Sequence, residues 1–114
     1  MQFIDEPIAV STIQAMAEEM FGELVKAVVD VDLGCLVIGG VMHADEEALL
    51  LGQGSLQRDL WGINLHPALF GTAGFVEFDS MINIRPGHGN RSRSVDDPGV
   101  RATIVAIVER LVTA

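Results

Sequence analysis

The sequence predicts an α+β domain in which N- and C-terminal helices pack on one face of a four-stranded, mainly antiparallel sheet. Three observations support this prediction. Each end of the chain has an apolar repeat at helical spacing, two pairs of alternating strands lie between the ends, and a short helical segment separates the pairs. With 114 residues, 49% of them apolar, the chain predicts a single domain over residues 1–114.

The composition limits the classes of partner. A formal net charge of −9 disfavours a nucleic-acid or anionic-membrane surface, because binding phosphates needs dense lysine and arginine. No apolar run approaches the roughly 18–20 residues of a membrane span, and the first residues carry acids where a signal peptide is positive. The single cysteine, Cys35, has no internal disulfide partner. These features predict a cytoplasmic protein.

Residues 2–10 read as an extended lead-in because Pro7 blocks a regular start. Ser11 is a candidate helix cap, with Gln14 three residues later as its partner in a capping box. The apolar residues that follow at helical spacing are Ile13, Met16, Ala17, Met20 and Leu24. The spacing predicts a first helix over Ser11–Phe21, ended by Gly22.

The next segment predicts a β-hairpin formed by Leu24–Asp32 and Cys35–Met42, closed by a three-residue turn that ends at Gly34. In the predicted register Val31 pairs with Cys35, and both faces of the hairpin are apolar. A hairpin that is apolar on both sides must be covered on both sides. Because the chain has few residues to spare, we expect a homo-oligomer, dimeric or larger, that forms through this hairpin.

His43–Leu51 predicts a short helix between the hairpins, capped by Asp45 and ended by Gly52. The second hairpin is predicted from strands Asp59–His66 and Phe75–Arg85, with a loop over Pro67–Gly74.

In the register of that second hairpin Asn64 lies near Glu77, and Gly62 lies near Asp79. The last helix begins at Asp96-Asp97-Pro98, where acidic caps precede a proline suited to the first helical position. Its apolar stripe is Val100, Ile104, Ile107, Val108 and Leu111.

Polar residues of the second hairpin share the sheet face that the two long helices leave open. Asn64 comes from one strand, and Asp79, Asn83 and Arg85 are spaced along the other by multiples of two residues. A carboxylate, an amide and a guanidinium in one row can hold a polar ligand. The alternative is a solvated sheet face with cross-strand polar pairs.

The loop that follows the second hairpin is rich in glycine and arginine. Gly87 and Gly89 flank His88, and Asn90, Arg91 and Arg93 follow. Two arginines in a turning loop favour binding of a carboxylate or phosphate. The loop matches neither established glycine fingerprint for phosphate, and its arginines can also pair with nearby acids.

Metal binding and catalysis have weaker signals. His43 and Asp45 are candidate metal ligands, yet their spacing fits no established ligand pattern, and helix capping also explains Asp45. The serines lie in no nucleophile elbow. If the chain is an enzyme, Asp79 or His43 is the candidate general base. The sequence does not identify a cofactor.

The chain carries, in order, the motifs VKAVVDVDLG, HADEEALLL, DLWGINLHP, EFDSMINIRP and GNRSR. This set resembles a family of small prokaryotic proteins known only as a domain of unknown function, over nearly the whole chain from about Pro7 onward. The resemblance implies a compact single domain and no activity. In that family the position of His66 is commonly aromatic, which argues against a catalytic role for His66. The motif positions are His43, Asp45, Asp59, Trp61, Asn64, Asp79, Asn83, Arg85, Asn90 and Arg91.

The leading expectation is an oligomeric binding or interaction protein that takes a small polar or anionic ligand. Arg85 and Arg91 are the expected anion clamps, with Arg93 beside them, and Asn64 and Asn83 are the expected orienters. Asp79 would bind a hydroxyl or amine. One alternative is a small hydrolase- or lyase-like enzyme, with or without a divalent metal. The other is a structural module that binds a partner.

Overall fold

The computed structural model describes residues 1–114 and has a mixed α+β architecture. The helices are α1 (Val10–Glu19), α2 (His43–Gly52) and α3 (Pro98–Leu111). The strands are β1 (Gln2–Ile4), β2 (Ile8–Ala9), β3 (Val25–Asp30), β4 (Cys35–Ile38), β5 (Leu60–Leu65), β6 (Val76–Glu77) and β7 (Val112–Thr113).

The main sheet has five strands in the order β1-β4-β3-β5-β6, and every neighbouring pair is antiparallel. The predicted α+β class is confirmed, but the predicted four strands are wrong in detail. The lead-in segment supplies the additional edge strand β1, which pairs with β4. The pair β2 and β7 forms a separate parallel ribbon that ties the two ends of the chain together.

Helices cover both faces of this sheet. On one face α1 and α3 bury Ile13, Ala17, Ile104 and Val108 against the central strands. On the other face α2 packs Leu50 over a smaller core, whose remaining members are Val28, Cys35, Val37 and Leu60. Helix α2 therefore covers part of the sheet face that was predicted to be open. Both apolar faces of the first hairpin are covered by residues of the same chain. Homo-oligomerisation through that hairpin stays a prediction.

The register of the first hairpin differs from the predicted one by a single residue. Asp30, not Val31, lies opposite Cys35, so the turn has one residue more than expected. The buried carboxylate of Asp30 accepts hydrogen bonds from the backbone N–H groups of Asp32 and Leu33, and from the hydroxyl of Ser55. Because side chains alternate along a strand, the shift moves all of β4 to the opposite face from the one predicted.

The second hairpin has the predicted register but not the predicted length. Asn64 lies opposite Glu77 as expected, yet β6 ends at Glu77 instead of reaching Arg85. The chain then leaves the sheet, and the backbone N–H of Ser80 donates to Arg93 O at 3.0 Å. Gly62 of β5 lies under this departing segment.

Both long helices lie where the sequence placed them. α3 has Asp97 as its cap, whose carboxylate accepts from the Gly99 N–H at 2.7 Å, and Pro98 is its first residue. α1 begins one residue earlier than predicted, after Ala9, and ends two residues earlier, at Glu19. Its cap position is Ala9 without a side-chain hydrogen bond, so Ser11 does not cap the helix as predicted. The cap position of α2 is Met42, so Asp45 does not cap that helix as the sequence had predicted.

The close approach of Ser80 to Gly62 can be tested by substitution. A Cβ added there would lie 2.5 Å from both Cβ and Oγ of Ser80. We expect Gly62→Ala to lower the free energy of unfolding by about 1–3 kcal/mol through overpacking. Urea denaturation measures the change.

Gly52→Ala is the matched control, because a Cβ there meets no atom within 4 Å. Adding Ser80→Gly to Gly62→Ala should restore part of the loss, because it removes the clashing atoms. A Gly62→Ala variant as stable as the parent protein would contradict the packing described for this strand.

Candidate functional site

A cleft of about 450 Å³ lies on the α2 face of the sheet, between the start of α2 and the segment that leaves β6. We call it the Lys26 cleft. The residues that carry its chemistry are Lys26, His43, Asn64, Asp79 and Arg93. Four of them were predicted as site or catalytic candidates. Lys26 was missed because it lies opposite Asn64 through the pairing of β3 with β5, two segments that the sequence analysis had assigned to separate hairpins.

Lys26 and Asn64 form the part of the cleft that is built on the sheet. Lys26 is half-buried and takes part in no ion pair. Asn64 is 6% exposed. Its amide nitrogen donates to Glu77 Oε1 at 2.8 Å and to Asp79 O at 3.2 Å, whereas its Oδ1 is buried without a hydrogen-bond partner.

His43 is held in a defined protonation state at the wall of the cleft. Its Nε2 lies 2.8 Å from the carbonyl oxygen of Ile63, which only accepts, so Nε2 carries a proton. Burial lowers the pKa of His43, and the positive charge of Lys26 acts in the same direction. The imidazole is therefore neutral near pH 7, and its Nδ1 is an acceptor that no group of the protein occupies.

An ion pair forms the outer side of the cleft. Arg93 Nε donates to Asp79 Oδ1 at 2.7 Å, and both side chains are about half exposed. Exposed pairs of this kind contribute little to stability. The pair nevertheless satisfies the charge of Arg93, which leaves Lys26 as the cation of the cleft without a counterion.

The other predicted ligand residues bind the protein's own backbone instead of lining this cleft. Asn83 is buried and pairs with Gly62 in both directions, accepting from its N–H at 2.8 Å and donating to its carbonyl at 2.9 Å. Asn90 is also buried, and its amide nitrogen donates to three carbonyls, those of Asn83, Ser92 and Ser94.

Arg85 and Arg91 differ from each other in their surroundings. The guanidinium of Arg85 donates to the carbonyls of Gln57 and Leu60, and it lies 4.1 Å from the centre of the Trp61 ring. Partial burial lowers the pKa of Arg85. Arg91 is exposed, and its guanidinium makes no ion pair or hydrogen bond, so it remains available to an anion outside the cleft.

Glu46 is a buried acid whose environment the sequence did not reveal. Its Oε2 accepts from the Gly40 N–H at 3.0 Å, and its Oε1 has no partner. Burial raises the pKa of Glu46 to about 8, although the Gly40 N–H and the charge of Lys26 oppose the shift. At neutral pH Glu46 is therefore mostly protonated and does not supply a counterion to Lys26.

A larger cavity, of about 600 Å³, lies elsewhere, between α3 and the chain from Phe70 to Phe78. It is lined mainly by aromatic residues and valines, and its only polar side chains are Thr72 and Glu109. It contains no cation. A polar anionic ligand therefore finds complementary charge in the smaller Lys26 cleft and not here.

Two features are absent from this structure. No three His, Cys, Asp or Glu side chains are close enough together to hold a metal ion, and this includes the surroundings of His43 and Asp45. None of the helices combines the length and the apolar character that crossing a membrane requires.

Comparison with known families assigns the chain to one of them. A family profile described as protein of unknown function (DUF5674) matches residues 2–111, so the chain belongs to this family. The predicted membership of a family known only as a domain of unknown function is thereby confirmed. No curated protein and no solved structure matches the chain significantly.

Glu46 gives a pH-dependent test. Between its ordinary pKa of 4.5 and the raised value of about 8, the folded chain keeps a proton that the unfolded chain has lost. The contribution of Glu46 to stability is thus fully present below the lower value and falls as pH rises, by up to about 1.4 kcal/mol per pH unit. Glu46→Gln removes this titration.

We expect the stability of Glu46→Gln relative to the parent to increase from about pH 5 to pH 8 and then level off. Urea denaturation across that range measures the difference, in which the titrations of other groups largely cancel. Glu47→Gln, on the same helix, controls for the loss of one acid. A difference that does not depend on pH would contradict the raised pKa.

Proposed function

We propose that the protein binds a small carboxylate ligand in the Lys26 cleft. The observation that carries the proposal is a half-buried lysine without a counterion, inside a cleft whose neighbouring buried acid, Glu46, is protonated at neutral pH. A cation kept in such a place gains from an anionic ligand. The cleft volume of about 450 Å³ is within the usual range for small-molecule sites.

Other groups of the cleft can make further contacts with the ligand. Nδ1 of His43 is an acceptor without a partner and can receive a hydrogen bond from a hydroxyl or amino group beside the carboxylate. Arg93 stays in its ion pair with Asp79 at the outer side of the cleft. In this proposal Lys26 holds the anion, in place of the clamps Arg85 and Arg91 predicted from the sequence.

The test compares binding by the parent protein, Lys26→Met and Arg58→Met. Lys26→Met keeps the shape of the side chain but removes its charge, so carboxylate affinity should fall about tenfold or more. Arg58 is an exposed cation outside the cleft, and Arg58→Met should bind like the parent. Isothermal titration calorimetry with short carboxylates and inorganic phosphate measures the affinities.

A saturating ligand at about 100 times its Kd should also stabilise the parent by about 2.7 kcal/mol, which raises Tm by roughly 10 °C. Arg91→Met is the third arm, because Arg91 is the exposed clamp predicted from the sequence. Loss of binding in Arg91→Met but not in Lys26→Met would place the anion on the loop. Absence of binding to any carboxylate would reject the cleft proposal.

A second function that one observation favours is general-base catalysis by His43. The Ile63 carbonyl holds the imidazole by its Nε2 proton, and burial keeps it neutral, so Nδ1 is a proton acceptor at the wall of the cleft. Asp79, the other candidate base, is paired with Arg93.

The tautomer of His43 tests this second function directly. We expect ¹⁵N NMR to show the Nε2–H tautomer at neutral pH, and a pKa for His43 below its ordinary value of 6.5. Replacement of His43 by Gln assigns the signals, and His88→Gln is the control. A proton on Nδ1 would exclude the base role, because that atom could not accept another.

A further inference from the structure

We infer that the Lys26 cleft takes a carboxylate with an unbranched apolar tail of several carbons, and not a compact polar anion. This inference rests on the proposed function and specifies its ligand. It comes from the way the apolar and polar side chains of the cleft are distributed by depth.

Much of the cleft wall is apolar. The apolar side chains with flexible or branched ends are Leu24, Met42, Met81 and Ile82. Met42 comes from the start of α2 and Met81 from the segment that leaves β6, so one methionine stands on each side of the opening. They are 57% and 66% exposed, respectively. An apolar chain placed between them would remove this surface from water.

Four of the polar residues lie deeper than the methionines, whereas the Asp79–Arg93 ion pair is about as exposed as they are. His43, Asn64 and Ser80 are all buried, and Lys26 is half-buried. A ligand that matches this arrangement has its charged end at Lys26 and its apolar part at the opening between Met42 and Met81. Methionine suits this second role, because its side chain is unbranched and polarisable and adapts to different shapes.

Compact polyanions fit the cleft less well. A phosphate or a dicarboxylate carries a second charge, whereas Lys26 is the single unpaired cation and Arg93 is already paired with Asp79. The second charge would face the Asp79 carboxylate or the methionine walls. A monocarboxylate with an apolar tail avoids both costs.

The experiment is a chain-length series of straight monocarboxylates, from acetate to octanoate, titrated calorimetrically into the full chain below micelle-forming concentrations. Each added methylene that reaches the apolar walls should tighten binding by about fourfold. Octylamine and octanol have a comparable tail with a different head, and both should bind more weakly than octanoate.

The apolar walls are tested by Met81→Ser and Met42→Ser. Each should reduce the gain per methylene while leaving the affinity for acetate within about twofold, because each change affects the tail and not the charged end. Met20→Ser is the matched control, because Met20 is also partly exposed but lines a separate cleft. Circular dichroism and Tm confirm that each variant is folded.

The outcomes separate the two proposals. Equal affinity for acetate and octanoate, with both lost in Lys26→Met, would overturn the apolar tail and support the carboxylate site. Octanol binding as tightly as octanoate would overturn the carboxylate site itself, and so would no binding across the series. A gain per methylene that persists unchanged in both methionine variants would overturn the placement of the tail.

Discussion

The constraint on which this structure depends is the unpaired backbone along one side of β5. β6 pairs with β5 only through Glu77 and Val76, so the peptide groups nearer Leu60 have no strand beside them. Buried backbone groups without partners cost about 1–3 kcal/mol each. Side chains replace the missing strand: Asn83 binds both backbone groups of Gly62, and Arg85 binds the Leu60 carbonyl. A side-chain amide has the donor and acceptor arrangement of a peptide group, which suits Asn83 to this role.

This replacement also forms the cleft. Because Asn83 and Arg85 hold the departing segment against β5, Ser80 lies directly over Gly62, where a Cβ would not fit. Asp79 and Met81 then lie across from the start of α2. An ordinary fourth strand over Phe75–Arg85 would have lain flat in the sheet, without a wall facing α2. The residues that hold the segment therefore support the cleft without entering it.

Periodicity was sufficient to predict the two long helices, the short helix between two hairpins and the register of β5 with β6, but it missed the edge strand β1 and the ribbon of β2 with β7. It also failed where a side chain competes with the backbone. Asp30 lengthens the first turn by one residue and reverses the faces of β4, and no periodic signal contains that hydrogen bond. Asn83 and Asn90 look like ligand-binding residues in the sequence, because a polar side chain at an alternating position does not reveal whether its partner is a ligand or a peptide group. The candidate site was thus predicted in part: Asn64, Asp79 and Arg93 meet in the cleft, whereas Lys26 was found only from the coordinates.

The packing that buries Glu46 also leaves Lys26 without a counterion. The protein has 16 acidic and 7 basic residues, so an unpaired lysine inside a cleft is unexpected on composition alone. Glu46 is close enough for the charge of Lys26 to lower its pKa, yet burial dominates and keeps the carboxyl protonated. Had Glu46 been more exposed, it would have been a carboxylate at neutral pH and a natural partner for Lys26. Because α2 instead buries Glu46 against Gly40, the lysine has no counterion within the chain, and the proposed carboxylate ligand would supply one.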